Sequence, residues 1–338
     1  MTAYAGVDLH SNNIFLGIID SENKRLFSHR LANKLDVIKK ALQPFKRALG
    51  GIAVESTFNW YWLVDGLQDA GYKVHLANPS AIKQYEGIKH RDDKSDAFWL
   101  AQMLMLGILP EGYIYPKEQR PTRDLLRRRM LYVQQRSAHV LSLKSMVHRS
   151  LGQTISTNKI KTLDPVDSQK IFQQEHLILA GSHAIATIQF LSAQIRSIEK
   201  EVMRHSKIKP EFSSLLTIPG IGNILAMTIM LEVGDIRRFP GAGNYASYCR
   251  CVKSEKLTNE KKKGSGNRKN GNKYLAWAYV EGANFAIRYH PKASRFYDRK
   301  ASRTNNTVAR KALANKMARA SYYIMRDQVA YDENKMFR

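Results

Sequence analysis

Cysteine is almost missing from this chain: its 338 residues include only Cys249 and Cys251. Two thiols are too few for a structural zinc site, and at this spacing they are too close for an ordinary disulfide. The pair fits a reducing compartment and reads as two small residues in a strand. No hydrophobic run is seen to approach the ~18 residues of a spanning helix, and Met1 to His10 lacks a charged stretch followed by an apolar one. A cytoplasmic protein without a membrane partner is therefore expected. A Walker loop, a His-Glu-x-x-His motif and a serine-hydrolase elbow are absent as well, so ATP use is not indicated. Acidic residues are the last shortage, with 29 Asp and Glu set against 54 Lys and Arg for a formal charge of +25.

That imbalance is uneven along the chain. Residues 1–112 hold 13 Lys and Arg against 12 Asp and Glu, which leaves 41 against 17 for the remainder. A neutral first third followed by a strongly basic segment places chemistry in one and polyanion binding in the other, with membrane surface the competitor to nucleic acid. At 43% hydrophobic residues the chain buries a sizeable core and has room for more than one domain.

Tyr4 to Leu9 and Ile14 to Ile19 are apolar runs around a polar turn, the mark of a hairpin, and Arg25 to Arg30 adds a third strand. Helical spacing follows over Lys34 to Leu49, a buried strand over Ile52 to Glu55, a helix over Trp60 to Ala70, a strand over Lys73 to Ala77 and a helix over Asp96 to Leu106. Strands alternating with helices predict an α/β layer. Tyr113 to Pro121 reads as a boundary. Beyond it, Leu126, Met130, Val133, Val140 and Val147 mark one face of a long basic helix. Ile188, Leu191, Ile195, Ile198 and Val202 follow the three-and-four spacing of a coiled coil. That stripe packs either within one chain or across a dimer, since both bury the same residues.

Acidic residues at the ends of apolar strands need a partner, and Asp8 and Glu55 are two such residues. Asp93 and Asp96 sit three apart at a helix start, on one helical face. Taken singly, helix-start carboxylates serve the macrodipole, and Asp92 is the weakest candidate for that reason. Four converging carboxylates, however, repel one another unless a cation neutralises them. Mg2+ or Mn2+ suits such an oxygen set, and a pair of ions ~4 Å apart stabilises both the attacking and the leaving oxygen of a phosphodiester displacement.

In the basic part, Ile218-Pro219-Gly220-Ile221-Gly222 lies between two apolar helical segments. It reads as a helix-hairpin-helix, in which Pro219, Gly220 and Gly222 present backbone N–H groups to a phosphate, or as an ordinary helical turn. Lys253, Lys256, Lys261, Lys262, Lys263, Arg268, Lys269 and Lys273 then crowd one segment, expected to stay disordered alone and to order on a nucleic-acid backbone. Tyr274, Trp277 and Tyr279 read as core more than as base-stacking platforms. A second basic helix is expected over Arg299 to Arg326.

Asp8-Leu9-His10, Val54-Glu55-Ser56-Thr57, Asp93-Lys94-Ser95-Asp96-Ala97 and Ile218-Pro219-Gly220-Ile221-Gly222, in this order, resemble the DEDD-type transposases of bacterial insertion sequences. Tyr245 to Val252 and Lys269 to Leu275 resemble the branch with a long tract after the hairpin turn. The resemblance implies an α/β ribonuclease-H-like, resolvase-type N-terminal domain over 1–112, with Asp8, Glu55, Asp93 and Asp96 as its metal-binding tetrad. It implies a helical, coiled-coil linker and dimerisation region over 113–208, and a mainly α C-terminal transposase domain over 209–338 that supplies a nucleophilic serine. It also implies donor and target DNA, a guide (bridge) RNA, and dimers or tetramers combining one subunit's carboxylates with another's hydroxyl. This chain departs at the nucleophile: gap-free alignment from Val252 to Gly271 puts Thr258 where serine is usual and Asn259-Glu260 where glycine is usual. Threonine keeps the hydroxyl but crowds it with a methyl group. Ser254 and Ser265 are weaker substitutes.

Three functions follow from this reading. The first is a recombinase with Thr258 as nucleophile, the second a hydrolytic nuclease or Holliday-junction resolvase using the same metals, and the third an inactive nucleic-acid-binding protein.

Overall fold

Val7, Leu9, Leu16 and Ile18 face one side of the N-terminal sheet and are apolar because helices cover that side, and the alternate residues Gly6, Phe15, Gly17 and Ile19 are apolar or glycine for the same reason, with Asp8 the exception. A computed structural model describes residues 2–82, 92–206, 210–253, 256–258, 261–264 and 270–337. They form two compact units, Met1–Lys117 and Glu118–Arg338. The helices of 113–208 and those of 209–338 thus lie in one unit.

The first unit contains β1 (Ala3–Leu9), β2 (Asn13–Asp20), β3 (Arg25–Ala32), α1 (Leu35–Leu42), β4 (Leu49–Glu55), α2 (Tyr61–Asp69), β5 (Val74–Ala77) and α3 (Asp93–Met105). Its sheet runs β3-β2-β1-β4-β5, antiparallel over β1, β2 and β3 and parallel where β1 meets β4 and β4 meets β5. Side chains alternate across the pleat. Ala5, Val7, Leu9, Leu16, Ile18, Ile52 and Val54 pack with Ile38 and Leu42 of α1 and Leu63, Val64 and Leu67 of α2. The opposite face carries Gly6, Gly17 and Ala53, and α3 covers it. The helix expected over Lys34 to Leu49 is shorter, because Pro44 converts its end to a 3-10 turn and Leu49 already begins β4.

The second unit is helical: α4 (Arg120–Leu151), α5 (Thr157–Thr162), α6 (Ser168–Ile171), α7 (Glu175–Ser206), α8 (Pro210–Leu216), α9 (Asn223–Val233), α10 (Ala242–Tyr248), α11 (Lys273–Tyr289), α12 (Pro291–Arg303), α13 (Asn306–Asp327) and α14 (Glu333–Met336), with a small ladder of β6 (Lys256–Thr258) and β7 (Lys261–Gly264). Helices α4 and α7 lie against each other, and Ile188, Leu191, Ile195, Ile198 and Val202 are all buried. Within Glu175–Arg204 an 18-residue window reaches a mean hydropathy of 1.3, so this helix is long and apolar enough to cross a membrane by length and composition only, which the expectation of no such hydrophobic run did not include. His183 and Gln189 interrupt its apolar residues, so it does not stand out as one hydrophobic run.

Three other expectations change. Cys249 and Cys251 are buried at the end of α10 and just after it, not in a strand. The basic helix over Arg299 to Arg326 is two helices: Thr304 leaves helical geometry, and the Asn305 side chain caps α13 by accepting from the Val308 N–H at 3.0 Å. The lysine-rich segment expected to be disordered contains an antiparallel ladder, in which Thr258 pairs with Lys261 and Leu257 with Lys262.

Candidate active site

Strand parity decides which carboxylates can meet. Asp8 lies two residues beyond Gly6 on the face covered by α3, and the β1–β4 register, with Gly6 opposite Ala53 and Val7 opposite Val54, brings Glu55 to the same face and end of the sheet. Asp8 is only 4% exposed. Burial pushes its carboxyl above the ordinary carboxylate range, against the pull of a hydrogen bond with Glu55 and of His10, and the charges of Asp93 and Asp96 push it further up. Four carboxylates thus crowd one place, where burial and like charge oppose ionisation of Asp8. A cation could offset both.

Helix α3 supplies the other two carboxylates. Asp92 is its N-cap and accepts from the Ser95 N–H at 2.8 Å. The capping role therefore falls to Asp92, and Asp93 and Asp96 are left for other work. Asp93 receives the Arg30 guanidinium of β3 at 2.5 Å. Burial works to raise the Asp93 carboxyl, but Arg30 and His10 outweigh it and hold the group below its ordinary value. What lets α3 approach is the absence of side chains beneath it. A Cβ on Gly6 would lie 1.9 Å from the Ala97 carbonyl oxygen and 2.7 Å from the Ala101 nitrogen, and one on Gly17, paired with Gly6, would lie 3.0 Å from Phe98.

His10 and Arg30 are site residues to which the sequence analysis gave no role. His10 Nε2 lies 3.1 Å from Asp8 Oδ2 and 3.3 Å from Asp93 Oδ1, so Asp8, His10 and Asp93 form a group able to hold a metal ion. The backbone carbonyl of His10 accepts two side-chain amides, from Asn33 and Asn59, each at 3.0 Å. Its i+2 spacing from Asp8 was the available signal. Arg30 gave none, since its place depends on the strand register, which sets it opposite Phe15, itself opposite Asp8.

In the second unit, Gly220 turns between α8 and α9 with φ +87°, and a Cβ there would lie 2.2 Å from the Gly282 carbonyl oxygen of α11. Close packing thus already accounts for Gly220. Pro219 is half-buried, whereas Gly222, the N-cap of α9, is exposed with open space around it. Lys253, Lys261 and Lys263 are exposed. Thr258, Lys256 and Lys262 are described by their backbone alone, and Ser254, Ser265, Arg268 and Lys269 lie outside the described residues.

The base of the basic segment is tightly tied. Arg250 donates from Nε and a terminal nitrogen to the Gly271 carbonyl at 3.0 and 2.8 Å, and the Asn272 N–H donates to the Tyr248 carbonyl at 2.6 Å. Asn272 also caps α11 and donates from Nδ2 to buried Glu232 at 2.7 Å. Arg127 of α4 binds both oxygens of Glu232, at 2.6 and 2.8 Å. Burial opposes the Arg127 charge, but Glu232 outweighs it and raises the guanidinium above its ordinary value. Beside this pair, Arg127, Arg128, Gln134, Lys273 and Tyr274 line a cleft of about 330 Å³. Tyr274 lies under Arg127 and Lys273, at 4.6 and 5.1 Å from its ring centre. Tyr279 is core, its hydroxyl 2.6 Å from that of Tyr245, and Trp277 packs partly buried against the same core.

Comparison with known proteins joins the two units. Residues 5–150 match the IS110-type DEDD family described as "Transposase", and residues 213–298 match the "Transposase IS116/IS110/IS902 family". The chain belongs to the IS110/IS116 transposase family. The first match spans all four carboxylates, and the second spans the glycine turn and Thr258. Three relatives of this family member are a "Probable family 20 transposase" of Pseudomonas aeruginosa, 24% identical and aligned over 83% of this chain and 85% of the relative; the "Transposase for insertion sequence element IS1111A" of Coxiella burnetii, 22% identical over 96% and 90%; and the "Transposase for insertion sequence element IS1328" of Yersinia enterocolitica, 22% identical over 81% and 83%.

Proposed function

We propose that the chain cuts and rejoins DNA by metal-dependent phosphoryl transfer and so moves an insertion sequence. The observation that carries this is the gathering of Asp8, Glu55, Asp93 and Asp96 at one end of one sheet face, with burial and like charges raising the Asp8 carboxyl. Their oxygens suit Mg2+ or Mn2+, and the mixed sheet under α3 is the framework expected of a ribonuclease-H-like domain. When bound, such a cation offers charge stabilisation to the phosphate oxygens in flight. The chain's own residues do the rest. Asp8 and Glu55 fix ligand oxygens on rigid strands, Asp92 holds the start of α3 so that Asp93 and Asp96 face them, and Arg30 orients Asp93.

Thr258 supplies the hydroxyl that attacks phosphorus, in the place where the family resemblance puts serine. The phosphodiester oxygen leaves as the Thr258–phosphate ester forms, and a DNA hydroxyl later reverses the step. Lys253, Lys261, Lys263 and Lys273, with the open end of α9 at Gly222, hold DNA or a guide RNA by its backbone. The resemblance also supplies the guide RNA and the dimeric or tetrameric assembly.

A suicide DNA substrate tests the reading. A covalent protein–DNA adduct, lost in Thr258→Ala and in Asp8→Ala, is the expected result. Metal-dependent cleavage without an adduct, unchanged in Thr258→Ala, would instead establish the hydrolytic nuclease or resolvase. That second reading draws on one fact: all four carboxylates belong to the Met1–Lys117 unit, whereas Thr258 belongs to the Glu118–Arg338 unit. Strand transfer that survives Asp8→Ala would remove the tetrad from the chemistry. Sequencing nucleic acid extracted from the purified protein tests guidance, and a discrete RNA matching the element's flanks is expected.

A further inference from the structure

We infer that His10 is a ligand of the cation held by the carboxylates, so that the site contains one nitrogen donor and prefers Mn2+ to Mg2+. The inference rests on the reading of Asp8 and its neighbours as a cation site, and it adds a residue and a selectivity to it.

The geometry of His10 is that of a ligand. Its Nε2 stands 3.1 Å from Asp8 Oδ2 and 3.3 Å from Asp93 Oδ1. Two ligand atoms at right angles around an octahedral ion with bonds of about 2.1 Å are about 3.0 Å apart. The three atoms are therefore spaced like neighbouring corners of one coordination shell. Nε2 itself is shielded from solvent although the ring is 40% exposed, and both carboxylate oxygens face it as charged partners outside good hydrogen-bonding geometry. One ring N–H could in any case serve only one of the two oxygens that face it.

The surroundings hold the His10 backbone in place. Asn33 and Asn59 each commit an amide to the His10 carbonyl, and Thr57 Oγ1 donates to Asn59 Oδ1 at 2.9 Å. The His10 N–H in turn donates to the Asn13 carbonyl at 2.9 Å. The turn after β1 is thus tied to the loop after Glu55 and to the end of β3. That anchoring fixes the backbone from which the ring reaches Asp8 and Asp93.

The donor set decides the preference. Carboxylate oxygens alone favour Mg2+ as readily as Mn2+, but imidazole suits first-row transition ions and rarely serves Mg2+. Replacing one oxygen by His10 nitrogen therefore shifts the site towards Mn2+.

The test uses Mn2+ with the full chain. Pulsed electron paramagnetic resonance of the bound ion should show nitrogen-14 coupling from an imidazole, and His10→Gln should abolish that coupling. Calorimetry should show Mn2+ bound at least about tenfold more tightly than Mg2+ by the native chain, with most of that ratio lost in His10→Asp, which restores an all-oxygen set. Mn2+ that binds in an Asp8-dependent manner without nitrogen coupling would overturn the role of His10 and leave the carboxylate site standing. Absence of any Mn2+ binding sensitive to Asp8→Asn would overturn both. The coupling is read on the native protein, so the outcome does not depend on a variant folding.

Discussion

Replacing Gly6 by alanine adds one methyl group where the structure has no room for it. The new Cβ would lie 1.9 Å from the carbonyl oxygen of Ala97 and 2.7 Å from the nitrogen of Ala101. Both are backbone atoms in the middle of α3, so no side chain can swing aside. Reaching an ordinary contact requires the helix to lift by about 1.5 Å, or β1 to bow by as much. Gly→Ala in a strand gains about 0.4–1 kcal/mol from the unfolded chain, while overpacking costs about 1–3 kcal/mol even when side chains can adjust. A net loss of about 2 kcal/mol or more is expected. Lifting α3 also carries Asp93 and Asp96 away from Asp8 by a distance several times the ~0.2 Å tolerance of a metal site. Gly6→Ala should therefore lower the unfolding temperature and lose nearly all Asp8-dependent Mn2+ binding. Gly17→Ala, whose Cβ would meet only the Phe98 ring at 3.0 Å, should be milder in both. Thermal unfolding and calorimetric Mn2+ titration of the two variants give the comparison. Gly6→Ala within about 0.5 kcal/mol of the native chain, with metal binding intact, would refute the close approach of α3 as the device that assembles the site.

Glu232→Leu alone should cost about 2–4 kcal/mol by leaving the half-buried Arg127 guanidinium and the buried Asn272 amide without their carboxylate, and the Arg127→Met, Glu232→Leu double variant should recover part of that loss in urea unfolding. Burial pushes the Cys251 thiol up to about 12 and Cys249 well above its usual value. Neither thiol should therefore react with Ellman's reagent at pH 8 until denaturant is added, and fast labelling of the native chain would contradict their burial. Lys261→Ala with Lys263→Ala should weaken DNA binding and reduce the slope of log affinity against log salt by about 1–2, read by fluorescence anisotropy across salt concentrations. An unchanged slope would place the phosphate contacts elsewhere.

The strands were legible because both faces of the sheet are covered, which leaves apolar runs that the eye finds without knowing the partners. Gly6 and Gly17 sit inside those runs and look like ordinary strand residues; only the β1–β2 register sets them opposite each other and makes a seat for α3. The carboxylates were found one by one at element ends, yet which of the three aspartates after residue 91 caps the helix depended on the side-chain direction of Asp92. His10 and Arg30 reach Asp93 from β1's turn and from β3, and no local pattern couples residues 63 apart. Helix ends failed where one residue decided them: Pro44 ended α1 early, and Asn305 started a new helix inside a long basic pattern.

The tie at the base of the basic segment has a consequence for how such a chain can diverge. Tyr248, Arg250, Gly271 and Asn272 close a neck, so the core ends and resumes at nearly one point in space. A stretch entered and left through one neck can gain or lose residues without shifting the packing register of α10 or α11. Doubling its length costs only about 0.6 kcal/mol in loop closure. Residues 252–270 are therefore the place where this chain can change length and composition while selection on the core stays silent.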